Sequence, residues 1–188
     1  MSDFRILTER LCRRKVFFSF DFDQDCSRAG VVRNSGLTKG IKNDGYVDKA
    51  EWEKVKYNSE ASIKSWILRQ LEGTSVTVVL IGEHTSKSKW VNFEIQESIK
   101  RGNALLGIKI HNIRNLYGQQ SSPGQNPLEK HLIFDKRYGW ERNALNIYKT
   151  YDWVYGNGYS NLGNWVNEAK DIAGDLVSQS FLGGLHYR

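Results

Sequence analysis

Three apolar runs set the frame of this chain. "KVFFSF", rich in aromatic and β-branched residues, predicts a buried strand over Lys15 to Phe20. "SVTVVLI", Ser75 to Ile81, is almost continuously apolar, as a strand covered on both faces is. "LLGIKI", Leu105 to Ile110, predicts a third strand. Between the last two runs, Val91, Ile95 and Ile99 recur at helical spacing, with Ser98 at the margin of their stripe. They predict a helix over Ser88 to Gly102 whose apolar face lies on a sheet. Strand, helix and strand in this order form a βαβ unit, which implies a parallel sheet and an α/β fold.

The remaining chain is patterned less regularly. A polar loop, "DFDQD", leads into a helix over Cys26 to Leu37. "NDGYVDKAEWE" reads as a turn-rich connector that enters a helix. Ile63, Trp66, Ile67 and Leu71 give a helix over Asn58 to Leu71, with Gly73 as its stop. From His111 to Lys130 the periodicity dissolves into Gly, Pro, Ser and Gln, and so long a stretch in a compact domain is usually functional or mobile. "TYDWVYG" is a late strand. Trp165, Val166, Ala169, Ile172, Ala173 and Leu176 stripe a closing helix over Asn161 to Ser178, before a loosely held tail, "LGGLHYR". No internal repeat or low-complexity tract is present.

A length of 188 residues suits one domain spanning 1–188, with a long loop insertion at about 111–145. Hydrophobic residues at 39%, with 6 Trp, 9 Tyr and 8 Phe, supply a real core and argue against global disorder. The net charge of +6 fits anionic partners such as nucleotides, lipid headgroups or nucleic acid. The charges are dispersed, however, and the densest run, "RRK" at Arg13 to Lys15, reads as a solubilising flank of a strand. No basic stripe with interleaved aromatics is present, so nucleic acid is not an expected partner. Cys12 and Cys26 lack zinc-ligand spacing, and no secretory segment precedes them, so free thiols in a reducing cytosol are expected. No apolar run approaches the roughly 20 residues that span a bilayer. A cytoplasmic protein with no membrane partner is the expectation.

Several motifs fall short of their chemistry. Aligning Gly45 with the turn glycine of a calcium loop places Asp44, Asp48 and Glu51 at ligand positions, but Gly40 and Lys42 then occupy the first and third. "DFDQD" resembles the acidic pocket of a phospho-receiver, yet "VVLIGEH" ends without an acceptor aspartate. No glycine-rich loop of the dinucleotide-binding type follows a strand. His84, His111, His131 and His186 show no metal-ligand spacing, so no metal is expected. His84 follows the edge of a parallel strand, where α/β sheets bind ligands, and reads either as a pocket residue or as a solvated loop histidine.

The Ser88 to Gly102 helix carries the open question. On a wheel of about 100° per residue, Trp90, Glu94, Glu97 and Arg101 share a stripe beside the core face. Glu97 and Arg101 form an i,i+4 pair worth about 0.2–0.5 kcal/mol. Glu94 lies between the core stripe and Trp90. Position alone favours a solvated flank residue over a carboxylate held for ligand binding.

A resemblance weighs on that choice. "KVFFSF", "VRNS" at Val32 to Ser35, "DGYVDKAEWE", "SVTVVLIGEHTSKSKWVNFEI", "SIKRGNALLGIKIHNI" and the late "YDW" and "GYSNLGNW" are similar to the TIR-like proteins of bacterial defence systems. The chain most resembles the ThsB-type TIR proteins of the Thoeris anti-phage system, from about Lys15 to about Gly174. The resemblance implies a flavodoxin-like, TIR-type three-layer fold, with a central parallel sheet flanked by helices. It also implies cleavage of NAD, as substrate and with no cofactor, to a cyclic ADP-ribose isomer. This second messenger would activate a separate NAD-depleting effector, ThsA. The glutamate of the Trp-x-x-x-Glu spacing is the family's catalytic carboxylate, which assigns catalysis to Glu94. By the same comparison Ser19 and Phe20 line the substrate pocket, Trp90 is placed to stack on a ring of the substrate, and the strand-end position of His84 keeps it as a further pocket candidate. A phage-derived trigger and a homo-oligomer are the other partners implied.

One departure stands out. TIR enzymes often carry basic residues after the first strand, where this chain has "DFDQD". Phosphate contacts then fall to Arg28, Arg33 or Lys87, or basal NAD binding is weak. The acidic loop slightly favours a competing reading, a non-catalytic TIR module that senses or assembles with a phage or host partner.

Overall fold

A computed structural model of the chain describes residues 15–37, 42–45 and 49–178. Five parallel strands form its centre: β1 (Lys15–Ser19), β2 (Lys42–Gly45), β3 (Val76–Ile81), β4 (Ala104–Lys109) and β7 (Thr150–Asp152). They lie in the order β2-β1-β3-β4-β7. This is the flavodoxin-like arrangement expected of the sequence. The chain turns to β2 on one side of β1 and then to β3 on the other. That reversal opens a crevice at the carboxyl ends of β1 and β3, the place where open α/β sheets bind ligands.

Helices α1 (Phe22–Leu37), α2 (Lys49–Val55), α3 (Glu60–Gln70), α4 (Lys89–Lys100) and α5 (Gly158–Ser178) flank the sheet. Every residue of β3 is buried, which is why that strand lacks polar alternation. Along β1 the side chains divide. Val16 and Phe18 join the main core with Ala29, Val32, Leu162 and Val166. Phe17 packs with Trp52, Ile63, Trp66, Ile67 and Leu71 in a second, aromatic cluster. Ser19 shares the Phe17 side of the strand by the two-residue period. On α4, Val91 and Ile95 are buried as the pattern requires, and Ser98 Oγ bonds Thr77 Oγ1 of β3 at 2.7 Å.

The structure corrects four readings of the sequence. "DFDQD" is not a free loop, because α1 begins at Phe22. Asp21 is its N-terminal cap, accepting from Gln24 N at 3.3 Å, and Asp23 and Asp25 sit in the first turn, where the helix dipole favours negative charge. Part of the expected connector, Lys42–Gly45, is an edge strand paired parallel to β1, hidden from the sequence by its polar composition. Glu97 pairs with Lys100 at 2.6 Å rather than with Arg101. Helix α4 ends before Arg101, whose Nη2 turns away to donate to Leu68 O at 3.2 Å.

The fourth correction concerns the insertion, which is ordered. It carries a short 3₁₀ turn (Pro127–Lys130) and an antiparallel hairpin, β5 (Leu132–Asp135) with β6 (Trp140–Asn143). Fully buried Asp135 staples the hairpin by binding Arg137 through Nε at 2.9 Å and Nη2 at 2.8 Å, and Arg142 at 2.7 Å. Those guanidinium groups hold its carboxyl far below the usual range. Arg28 donates to Ile113 O at 2.9 Å, Lys130 to Ser86 O at 2.5 Å, and Asn126 to Thr150 Oγ1 at 2.8 Å. The segment thus lies across the carboxyl ends of the strands. Cys26 is a half-buried free thiol, while Cys12, the Arg13 and Arg14 of "RRK" and the "LGGLHYR" tail lie outside the described residues.

Two glycines permit this docking. A Cβ on Gly124 would stand 2.0 Å from Gly82 O, and one on Gly82 would stand 1.9 Å from Asp25 Oδ2. Overpacking of this kind costs about 1–3 kcal/mol. Gly124→Ala is expected to lower the urea midpoint accordingly, and an unchanged midpoint would mean that the segment is not pressed against β3.

Candidate active site

The crevice between β1 and β3 contains a small cavity of about 90 Å³. Phe18, Phe20, Asp21, Phe22 and Asp23 line it from β1 and the start of α1. Trp52 and Trp66 close it from the aromatic cluster, and Ser88, Trp90 and Glu94 from α4. Its aromatic wall is continuous: Phe20 stacks on Phe22 at 4.8 Å, Phe22 meets Trp52 at 5.6 Å, and Trp52 meets Trp66 at 6.0 Å. Trp90 packs edge-on against Phe93 at 6.4 Å.

Glu94 is not a solvated flank residue. It is 8% exposed, and Ser19 Oγ donates to its Oε2 at 2.5 Å. The wheel placed it at the border of the core stripe. What it could not show is that α2 and α3 bring a second aromatic layer against that border. Burial pushes the Glu94 carboxyl up to about 8, and the Ser19 hydrogen bond offsets only part of this. At neutral pH Glu94 is therefore mainly the neutral acid. A carboxyl that ionises only when positive charge comes beside it suits a cationic ligand or a cationic transition state.

Phe20 and Trp90 line the cavity, and Ser19 reaches it through Glu94, so the structure gathers these four candidates. His84 is not among the lining residues. It is half exposed, with Nε2 4.0 Å from Glu83 Oε1, on the side of β3 near Asp25. Of the three basic candidates, Arg28 is buried on Ile113 O, Asp25 and Gln119 O, and Arg33 is buried with its guanidinium 5.9 Å from the Phe20 ring centre. Lys87 is exposed, one residue from Ser88. Sequence reasoning missed Trp52, Trp66, Phe22, Asp21 and Asp23 as site residues. Trp66 read as core, which it also is, and Trp52 sat inside the connector. Buried Trp52 Nε1 makes no hydrogen bond. Among the described residues no three His, Cys, Asp or Glu side chains group as a metal site, and no helix is long and apolar enough to cross a membrane.

A parallel sheet of this order, with a buried glutamate on the helix after β3 and a tryptophan one turn before it, defines a TIR-like domain. The chain belongs to the TIR-like family of the Thoeris protein ThsB, whose family description matches residues 17–115. That stretch contains the end of β1, all of β2 to β4 and the whole helix that carries Trp90 and Glu94. The chain is also 33% identical over 190 residues to a Bacillus cereus (strain MSX-D12) protein named "Putative cyclic ADP-D-ribose synthase ThsB1", with 82% of this chain and 99% of that protein covered.

The carboxyl makes a stability prediction with a definite sign. Glu94 ionises near 4.5 when unfolded and near 8 when folded, so the folded state holds the proton longer. Its contribution is full below about 4.5 and is lost as pH rises through about 8. Wild type is expected to lose on the order of a few kcal/mol between pH 5 and 8.5, whereas Glu94→Gln loses less and is at least as stable at pH 8.5. Chemical denaturation at the two pH values reads this, and parallel losses in both proteins would contradict it.

Proposed function

We propose that this protein converts NAD into a cyclic ADP-ribose isomer, with Glu94 as the catalytic carboxylate. The observation that carries the reading is one buried carboxyl, bonded to Ser19, at the base of an aromatic cavity. Family membership and the printed name of the Bacillus relative support it. In Thoeris the product would act as a diffusible messenger for the NAD-depleting effector ThsA. A phage-derived trigger and self-assembly complete the proposal.

The chemistry needs little else. Nicotinamide in NAD is already cationic and leaves as a neutral molecule, so no general acid is required. The ribosyl centre becomes oxocarbenium-like, and a carboxylate beside it stabilises the charge. The aromatic walls hold the flat ring, with Phe20 and Trp90 on either approach. Magnitudes show why the substrate can switch the site on. Raising Glu94 from 4.5 to about 8 corresponds to about 5 kcal/mol against ionisation. A unit positive charge about 4 Å away, at an effective dielectric near 20, returns about 4 kcal/mol. The bound pyridinium therefore restores most of the carboxylate. Asp21 and Asp23 add negative charge to the same wall, so the acidic loop that disfavours phosphate favours this cationic ring.

Glu94→Gln keeps shape and removes charge. It is expected to lower nicotinamide release from NAD by at least about 100-fold. In infected cells it should abolish the cyclic product seen by mass spectrometry. Messenger at wild-type level in that variant would refute the assignment and return the protein to the non-catalytic adaptor class.

A further inference from the structure

The cavity that holds Glu94 is too small for a dinucleotide. At about 90 Å³ it falls below the roughly 300–1,000 Å³ of pockets that enclose a whole ligand. Next to it lies a larger groove of about 370 Å³, lined by Asp23, Gln24, Cys26, Ser27, Asn115, Leu116 and Tyr117. Asp23 lines both spaces, so the first turn of α1 is the ridge between them.

The far wall of the groove is a built platform. Asn115 Oδ1 accepts from Tyr117 N and Gln119 N, each at 2.9 Å, and Gly118 N donates to Asn115 O at 2.9 Å. Arg114 Nη1 donates to Gly118 O at 2.7 Å, and Arg28 Nη2 to Gln119 O at 3.3 Å from α1. On this fixed turn Leu116 is 88% and Tyr117 86% exposed. Two large apolar side chains held in water beside a groove are a surface prepared for a flat partner. The opposite wall offers an amide at Gln24 and a hydroxyl at Ser27. Beside the ridge, Lys56 Nζ pairs with Glu53 Oε2 at 2.7 Å and stands 3.6 Å from Asp23 Oδ1.

We infer that this groove is the subsite for the adenosine end of the dinucleotide, with Tyr117 and Leu116 as its stacking face and Gln24 facing the base edge. The inference takes its ligand from the proposed function. The nicotinamide end enters the Glu94 cavity, and the adenosine end returns against the insertion. The bond from the ribosyl carbon to nicotinamide breaks, and the ring leaves with its electron pair. The carbon then gains a bond from an adenosine nitrogen or hydroxyl oxygen, which releases any proton it carries to solvent. Holding that nucleophile close raises its effective concentration over water.

The test uses the full chain carrying Glu94→Gln, so that ligand survives, with ADP-ribose titrated by calorimetry. Tyr117→Ala is expected to weaken binding about 10-fold, the scale of losing one base stack. Leu116→Ala should weaken it less, and Tyr155→Ala, which removes an equally exposed tyrosine beyond β7, should leave it unchanged. Equal affinity with and without Tyr117, or no ADP-ribose binding at all, overturns the subsite. In protein with Glu94 intact, Tyr117→Ala should shift product from cyclic toward linear ADP-ribose. Nicotinamide release by wild type supplied with phage-infected lysate separates the two claims. Weakened ADP-ribose binding without any release leaves the groove assigned and removes the proposed conversion. Release with an unaffected Tyr117→Ala does the reverse.

Discussion

A carboxyl removed from water keeps its charge only if something nearby repays the lost hydration. At Glu94 that partner is a single hydroxyl, Ser19, which is too little. The rest of the site follows from this shortfall. The parallel sheet brings the end of β1 against the first turns of α4. The aromatic cluster of Phe17, Trp52 and Trp66 dries the space between them. The neutral acid that results waits for positive charge. In the proposed reaction the substrate brings that positive charge itself.

The same constraint gives the acidic loop a reason. Asp21 caps α1 and Asp23 sits in its first turn, so both are satisfied by the helix they begin. They are also on the cavity wall, where the proposed pyridinium would meet them. One local feature therefore serves helix initiation and ligand orientation together. The insertion supplies the complementary side. It is held at Ile113 by Arg28 of α1, at Ser122 by Glu83 just after β3 and at His131 by Asn92 of α4, which makes it a wall of the crevice instead of a loose connection.

Much of this was legible in the sequence. Strands β1, β3 and β4 and helix α4 are written in continuous apolar runs and in the spacing of Val91, Ile95 and Ile99. Glu94 and Trp90 were readable as candidates through the Trp-x-x-x-Glu spacing, though helical geometry alone pointed the other way. Burial of Glu94 depends on α2 and α3, which are distant in the chain, and no local pattern records that contact. Strand β2 was invisible because "KNDG" has no strand composition and depends on β1 for its pairing. The insertion has no periodic signal in the sequence because its order rests on single polar side chains, Arg28, Lys130 and Asp135. His84 had strand-end position in its favour, but it is half exposed and does not line the cavity.

The proposed catalysis depends on the protonation state of Glu94. Isotope-edited infrared spectroscopy of the carboxyl, assigned by its loss in Glu94→Gln, reads that state directly. The prediction is a neutral acid band at pH 7 in the free protein, replaced by a carboxylate band when NAD binds and retained when the uncharged nicotinamide ring of NADH is offered instead. A carboxylate band already present in the free protein at pH 7 would contradict the account.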